Sequence, residues 1–125
     1  MPKTAILIDD DQDDLELLKE TIKGIDNTVL CRSFIYSEEA LRVVSAKVFT
    51  PNYIFIDINM PGLSGDKLLK RFRENNDLDD TVITILSTSI PETVSQSLKA
   101  AGANYTFQKP SKVKEYEAII RQIFR

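Results

Sequence analysis

Tyr53-Ile54-Phe55-Ile56-Asp57 is a run of four apolar residues closed by a carboxylate. Three other stretches share this form and end on a different polar group. Ile6-Leu7-Ile8 runs into Asp9-Asp10, Val82-Ile83-Thr84-Ile85-Leu86 into Ser87, and Tyr105-Thr106-Phe107-Gln108 into Lys109-Pro110. Short runs rich in β-branched and aromatic residues, bounded by polar or turn residues, read as strands. If they are parallel strands of one sheet, their carboxyl ends share an edge, where open α/β sheets place their ligand sites. Three carboxylates, a hydroxyl and an ammonium then meet in one place.

The rest of the chain alternates helical and extended patterns. Residues 4–9 read as the first strand, 28–35 as the second, 53–57 as the third, 82–87 as the fourth and 104–108 as the fifth. Between them, residues 12–23 place Leu15, Leu18 and Ile22 at helical spacing, with Gly24 as the stop. Ser37 is expected to cap a helix running to about Lys47. A loop follows the third strand over Asn59-Met60-Pro61-Gly62-Leu63-Ser64-Gly65, before a helix to about Asn75. Ser89-Ile90-Pro91-Glu92 has capping-box spacing, and Gly102 closes the helix it opens. Ser111 is expected to cap the last helix, whose apolar positions are Val113, Tyr116, Ile120, Ile123 and Phe124. Five βα repeats imply a parallel sheet covered on both faces. The expected architecture is a doubly wound (βα)5 α/β fold in the flavodoxin-like strand order 2-1-3-4-5, with strands 1 and 3 as neighbours.

A length of 125 residues suits one domain, 1–125, with a single core. The formal charge of −3 and pI near 5.0 give no support for binding nucleic acid or an anionic membrane. No apolar stretch approaches the roughly 20 residues that span a bilayer, and the N-terminus lacks a secretory signal pattern. A lone cysteine, Cys31, suits a cytoplasmic protein and reads as a buried small hydrophobe. Histidine is absent, which excludes imidazole metal sites and Ser-His or Cys-His nucleophiles within the chain.

Five of the six residues from Asp9 to Asp14 are aspartate. Asp11, Asp13 and Asp14 read as a solvated helix start, favoured by the macrodipole. Asp9 and Asp10 differ, since they end an apolar strand beside the one that ends in Asp57. Two carboxylates ~4 Å apart at an effective dielectric near 20 repel by about 4 kcal/mol. A fold that gathers them needs a cation, and oxygen-only ligands favour Mg²⁺ or a similar hard ion such as Mn²⁺. Such an ion usually bridges carboxylates to a phosphate, and Lys109 supplies a second positive charge for the same anion. The loop after the first strand has no Gly-x-Gly-x-x-Gly and no Gly-Lys-Ser/Thr. This argues against a dinucleotide enzyme, a P-loop NTPase or a flavodoxin. Among the remaining nucleophiles a carboxylate is the most plausible, and Asp57 stands alone at its strand end.

Together, Asp9-Asp10, Asp57-Ile58-Asn59-Met60-Pro61-Gly62 with Gly65, Ile85-Leu86-Ser87-Thr88-Ser89, and Gly102-Ala103 with Lys109-Pro110 resemble the receiver domain of bacterial two-component response regulators, over essentially the whole chain. The resemblance implies that Asp57 accepts a phosphoryl group from a sensor histidine kinase or histidine phosphotransfer protein. It implies Mg²⁺ bound by Asp10, Asp57 and the backbone carbonyl of Asn59, with Asp9 assisting. It implies that Lys109 pairs with the phosphoryl oxygens, that its bond to Pro110 is cis, and that Ser87 donates to the phosphoryl group. Asn59 and Ser89 would flank the attacking water. Read as a complete chain, the protein would be a stand-alone, chemotaxis-regulator-like switch without an output domain. It would act on a downstream protein target as a monomer or weak phosphorylation-dependent dimer. Lys99, Tyr105, Lys112, Tyr116 and Glu117 are candidate contributors to its partner surface.

The chain departs from the family pattern at Thr106, where an aromatic usually stands three residues before the lysine. Tyr105 and Phe107 are offset by one residue and so face the other side of the strand. The Ser87 movement is expected to persist, with its aromatic readout weakened or rerouted. Two alternatives remain: a degenerate receiver that is never phosphorylated, and an aspartyl phosphohydrolase. The complete set Asp9, Asp10, Asp57, Ser87 and Lys109 argues against the first. Asn59 at the position of the second general acid argues against the other.

Overall fold

In a computed structural model, residues 2–60 and 62–124 are described; Pro61, part of the loop reading above, lies outside them. Five strands, β1 (Thr4–Ile8), β2 (Leu30–Phe34), β3 (Tyr53–Asp57), β4 (Val82–Ser87) and β5 (Tyr105–Gln108), alternate with five helices. These are α1 (Gln12–Ile25), α2 (Ser37–Ser45), α3 (Gly65–Arg73), α4 (Glu92–Ala100) and α5 (Val113–Ile123), with a 3₁₀ turn at Asn76–Leu78. All strands pair in parallel, in the order β2-β1-β3-β4-β5.

Side-chain alternation divides the core between the two faces of the sheet. Ala5, Leu7, Tyr53, Phe55 and Leu86 pack with Leu15, Leu18 and Ile22 of α1 and with Tyr116, Ile120 and Ile123 of α5. Ile6, Ile8, Ile54, Ile56, Ile83 and Ile85 face Ala40 and Val44 of α2, Leu68, Leu69 and Phe72 of α3, and Leu98 of α4. The central strands are buried on both sides, as a doubly covered parallel sheet requires. The register sets Ile8 beside Ile56, so the residues that follow each strand leave the sheet at the same level.

Several local expectations are corrected. Gly24 does not stop α1, which runs on to Ile25; the Asp26 amide still donates to the Ile22 carbonyl at 2.8 Å. Asp11 caps that helix, accepting from the Asp13 and Asp14 amides at 2.9 and 3.3 Å. Ser37 lies inside α2, its hydroxyl directed to Met60 Sδ at 3.7 Å, and α2 ends two residues early, before Lys47 turns to φ 60°. The Ser89 capping box does not form. Its carbonyl instead accepts from Ser87 Oγ at 3.3 Å, and α4 starts from Pro91. Lys112, without a side-chain cap, precedes α5 in place of Ser111. Cys31 is half-buried against the α1/α5 core, and burial pushes its thiol pKa up.

One polar group joins four segments. The Arg73 guanidinium donates to the carbonyls of Gly102, Leu78 and Thr81 and to Asn104 Oδ1, at 2.6–2.9 Å. Its stem runs so close to Gly102, at φ 117°, that a Cβ there would lie 2.6 Å from Arg73 Cγ. Replacing Arg73 by alanine removes all four bonds and leaves the Gly102 and Thr81 carbonyls to water, while the Leu78 carbonyl keeps the Thr81 amide at 3.0 Å and Asn104 Oδ1 the Ile83 amide at 2.8 Å. The expected loss is about 2–4 kcal/mol in urea unfolding, since hydrogen bonds to charged groups contribute ~1.5–3 kcal/mol each and the exposed acceptors recover water. An unchanged midpoint would show that water and the remaining donors satisfy all four.

Candidate functional site

The site forms where β1, β3, β4 and β5 end. Asp57 closes β3 and Asp9 follows β1; both are buried, while Asp10 is exposed beside them. Parity explains the difference. Asp9 continues the Ala5–Leu7 face and Asp57 the Tyr53–Phe55 face, so both point to the α1/α5 side. One carboxylate oxygen from each of Asp9, Asp10 and Asp57 lies within 4.8 Å of the others. Lys109, just beyond β5, brings its Nζ to 2.7 Å from Asp9, 2.8 Å from Asp14 and 3.8 Å from Asp57. Its backbone amide donates to the Ser87 carbonyl at 2.7 Å, fixing the lysine against the end of β4.

Ser87 is fully buried. Its Oγ accepts from Asn59 Nδ2 at 3.2 Å and donates to the Ser89 carbonyl. The Asn59 amide donates to Asp57 Oδ1 at 3.3 Å, and that of Asp11 to Asp9 Oδ1 at 3.0 Å. The structure thus brings Asp9, Asp10, Asp57, Lys109, Asn59 and Ser87 to one end of the sheet. Behind the carboxylates a cavity of about 10 Å³, lined in part by Asp9, Asp14, Asp57 and Tyr116, has room for no more than a water. An anion of phosphoryl size must be received on the open side.

Asp14 is the residue the sequence reading missed. In sequence it reads as part of a solvated helix start, yet it accepts directly from Lys109. The signal lay in the periodicity: Asp14 is four residues before Leu18 and eight before Ile22, on the inward stripe of α1. Tyr116 is corrected in the opposite sense. It is only 2% exposed, packed in the α1/α5 core, and cannot contribute to an exposed partner surface. Lys99 and Lys112 are exposed, and Tyr105 and Glu117 half-exposed. The Lys109–Pro110 bond is trans, since no cis peptide bond occurs among the described residues; trans is the ordinary preference even before proline.

At Thr106 the chain substitutes a hydroxyl pair for an aromatic ring. Thr106 Oγ1 and Ser95 Oγ of α4 are 2.5 Å apart. Tyr105 and Phe107 stack on each other at 5.8 Å and pack toward the α1/α5 core, as alternation demands.

The electrostatics are strained in one direction. Burial, reinforced by the charge of Asp9, pushes the Asp57 carboxyl up to about 6, despite Lys109. Burial also raises Asp9 more than its bond to Lys109 lowers it. For Lys109 burial opposes the charge, but bonds to Asp14 and Asp9 and the charges of Asp9 and Asp57 prevail and hold it well above its ordinary value. One ammonium thus faces three carboxylates, with a fourth, Asp10, beside them. Because folded Asp57 keeps its proton to about 6 rather than 3.8, its stabilising contribution is present at low pH and is lost as pH rises through about 6. Asp57→Asn is therefore expected to stabilise the cation-free protein above pH ~7, by on the order of 2 kcal/mol, with the gain vanishing toward pH ~4. Equal thermal midpoints at neutral pH would contradict this. An all-oxygen cluster with excess negative charge fits a hard divalent cation.

The response regulator receiver domain family model matches residues 5–121, and the chain belongs to that family. Among relatives, it is 27% identical over 131 residues to the two-component response regulator ARR16 of Arabidopsis thaliana, covering 92% of this chain and 76% of that one. It is 37% identical over 73 residues to ARR17 of the same plant, covering 58% of this chain and 47% of the relative, so the chain spans about half that protein's length. The Mn²⁺-bound response regulator Rcp1 superposes with a TM-score of 0.85 at 22% identity, covering 98% of this chain and 91% of that one. Such proteins act in two-component signal transduction. Among the described residues no helix is long and apolar enough to cross a membrane.

Proposed function

We propose that this chain is a phosphorylation-activated switch in which Asp57 accepts a phosphoryl group from a sensor histidine kinase or histidine phosphotransfer protein. The observation that carries the reading is the meeting of Asp9, Asp10 and Asp57 within 4.8 Å, with Lys109 Nζ 3.8 Å from Asp57. Asp9, Asp10, Asp57 and the backbone carbonyl of Asn59 hold Mg²⁺ or Mn²⁺. When bound, the cation neutralises charge on the moving phosphoryl oxygens and aligns them with the nucleophile. An Asp57 oxygen attacks phosphorus, the P–N bond of the donor breaks, and its electron pair stays on the imidazole nitrogen. Lys109 pairs with a phosphoryl oxygen; Ser87 exchanges its bond to the Ser89 carbonyl for another. Asn59 and Ser89 flank the path of the water that later hydrolyses the acyl phosphate.

The new dianion is the differential contact that biases two conformations. The downstream reader is a protein, docking on the α4, β5 and α5 side near Lys99, Tyr105, Lys112 and Glu117. With Thr106 tied to Ser95, the readout through a β5 aromatic is weakened. A fluorine label on Tyr105 is expected to report little change in burial on activation. The chain works in the cytoplasm, monomeric or weakly dimeric when phosphorylated, and binds neither nucleic acid nor membrane.

The test is incubation with acetyl phosphate or phosphoramidate and Mg²⁺, followed by intact mass. A gain of one phosphoryl, lost with chelator and in Asp57→Asn, supports the switch. No gain with any donor supports a pure interaction module. Multiple turnover of phosphate esters supports a hydrolase.

A further inference from the structure

A second feature lies outside the acidic site. A groove of about 570 Å³ runs between α2 and α3 and ends on the loop that leaves Asp57. Half-buried Leu41 and Leu63 supply its apolar lining, and exposed Arg42, Lys67 and Arg71 its charge. Arg42 and Lys67 enter no salt bridge among the described residues. Arg71 reaches Glu74 only at 3.8 Å, with both side chains more than half exposed, a contact of little strength. The one acid in the groove, Glu38, is engaged: its Oε1 accepts the Leu63 amide at 3.0 Å. Three cations thus line a partly apolar groove in a chain whose formal charge is −3.

We propose that this groove binds a short acidic segment of another protein, carboxylates on Arg42, Lys67 and Arg71 and one aliphatic or aromatic side chain against Leu41 and Leu63. Arginine presents a planar fork that matches carboxylate geometry, and a groove of this size admits a few residues of extended chain. A foreign segment fits better than a second copy. In the chain's longest acidic run Asp9 and Asp14 hold Lys109 and Asp11 caps α1. The exposed run 77–80 has Asp77 paired with Lys47, and its only apolar residue, Leu78, is buried. The surface lies on the α2/α3 side and does not depend on phosphorylation of Asp57.

The experiment titrates the ¹⁵N-labelled protein with a synthetic acidic peptide of about ten residues, Glu and Asp flanking one Leu and one Phe, chosen to fit the groove. A control peptide carries Gln and Asn instead. Amide shifts are expected at Leu41, Arg42, Leu63, Lys67 and Arg71. The acidic peptide should bind at least about tenfold more weakly to the Arg42→Glu/Lys67→Glu variant, and several-fold more weakly as salt is raised. Both substitutions are at exposed positions, and the variant's own spectrum reports its fold. Asp57→Asn should bind within about twofold of the parent, so a failed switch and a failed groove are told apart. The proposal is overturned by no shifts, by shifts elsewhere, or by equal binding of the neutral peptide. It is equally overturned if the same shifts arise from raised protein concentration alone, which means self-association, or from inorganic phosphate alone.

Discussion

Lys109→Met is expected to slow phosphoryl gain from acetyl phosphate by about 10²–10³-fold, the usual cost of losing one preorganised charge-stabilising donor. Methionine keeps the apolar stem that packs at the end of β5, so the change removes charge more than volume. The ammonium stands 2.7 Å from Asp9, 2.8 Å from Asp14 and 3.8 Å from Asp57. Without it, four carboxylates share the end of the sheet, and an incoming phosphoryl group meets only negative charge from the side chains. Asp57 also loses one of the groups that restrain its upward shift to about 6. Initial rates from intact mass at saturating Mg²⁺ measure the effect. A rate within about threefold of the parent would mean that Lys109 is a structural ion-pair partner only.

The second large effect is expected at Gly65, the first residue of α3. A Cβ there would lie 2.6 Å from Ile58 Cα and 2.7 Å from the Asp57 carbonyl oxygen. Both contacts are backbone, and Gly65 also donates its amide to the Ile58 carbonyl at 3.1 Å. No rotamer relieves such a clash, so Gly65→Ala must push α3 away from the end of β3. Overpacking costs about 1–3 kcal/mol. A displacement of ~1 Å at the nucleophile costs on the order of 10²-fold in rate. Urea unfolding and phosphorylation rate are both expected to fall. Full activity at parental stability would show that the loop over residues 58–64 absorbs the methyl without moving Asp57.

Much of the architecture was legible because it rests on burial. Ile54 and Ile56 face one side of the sheet, Tyr53 and Phe55 the other, and only a doubly covered central strand tolerates such a run. Once β1 and β3 are neighbours, Asp9, Asp10 and Asp57 converge by register alone. The helix starts were less legible because capping is a local contest for hydrogen bonds. Ser89 had the right spacing, but Ser87 claimed its carbonyl, and Ser37 turned to Met60. Asp14 and Tyr116 show the same limit in the site. A carboxylate in an acidic run looks solvated until an ammonium arrives from 95 residues away. A tyrosine with polar neighbours looks exposed until α5 packs against α1.

The central claim is that acids from separate strands form one centre, and paramagnetic relaxation by substoichiometric Mn²⁺ tests it most directly. In ¹⁵N spectra of the full chain, amides of Asp9, Asp10, Asp57, Ile58, Asn59 and Lys109 should broaden first, and Asp57→Asn should blunt the effect. Broadening centred on the exposed acids Asp77, Asp79 and Asp80, or spread evenly over the surface, would contradict a single metal and phosphoryl site at the carboxyl ends of β1 and β3.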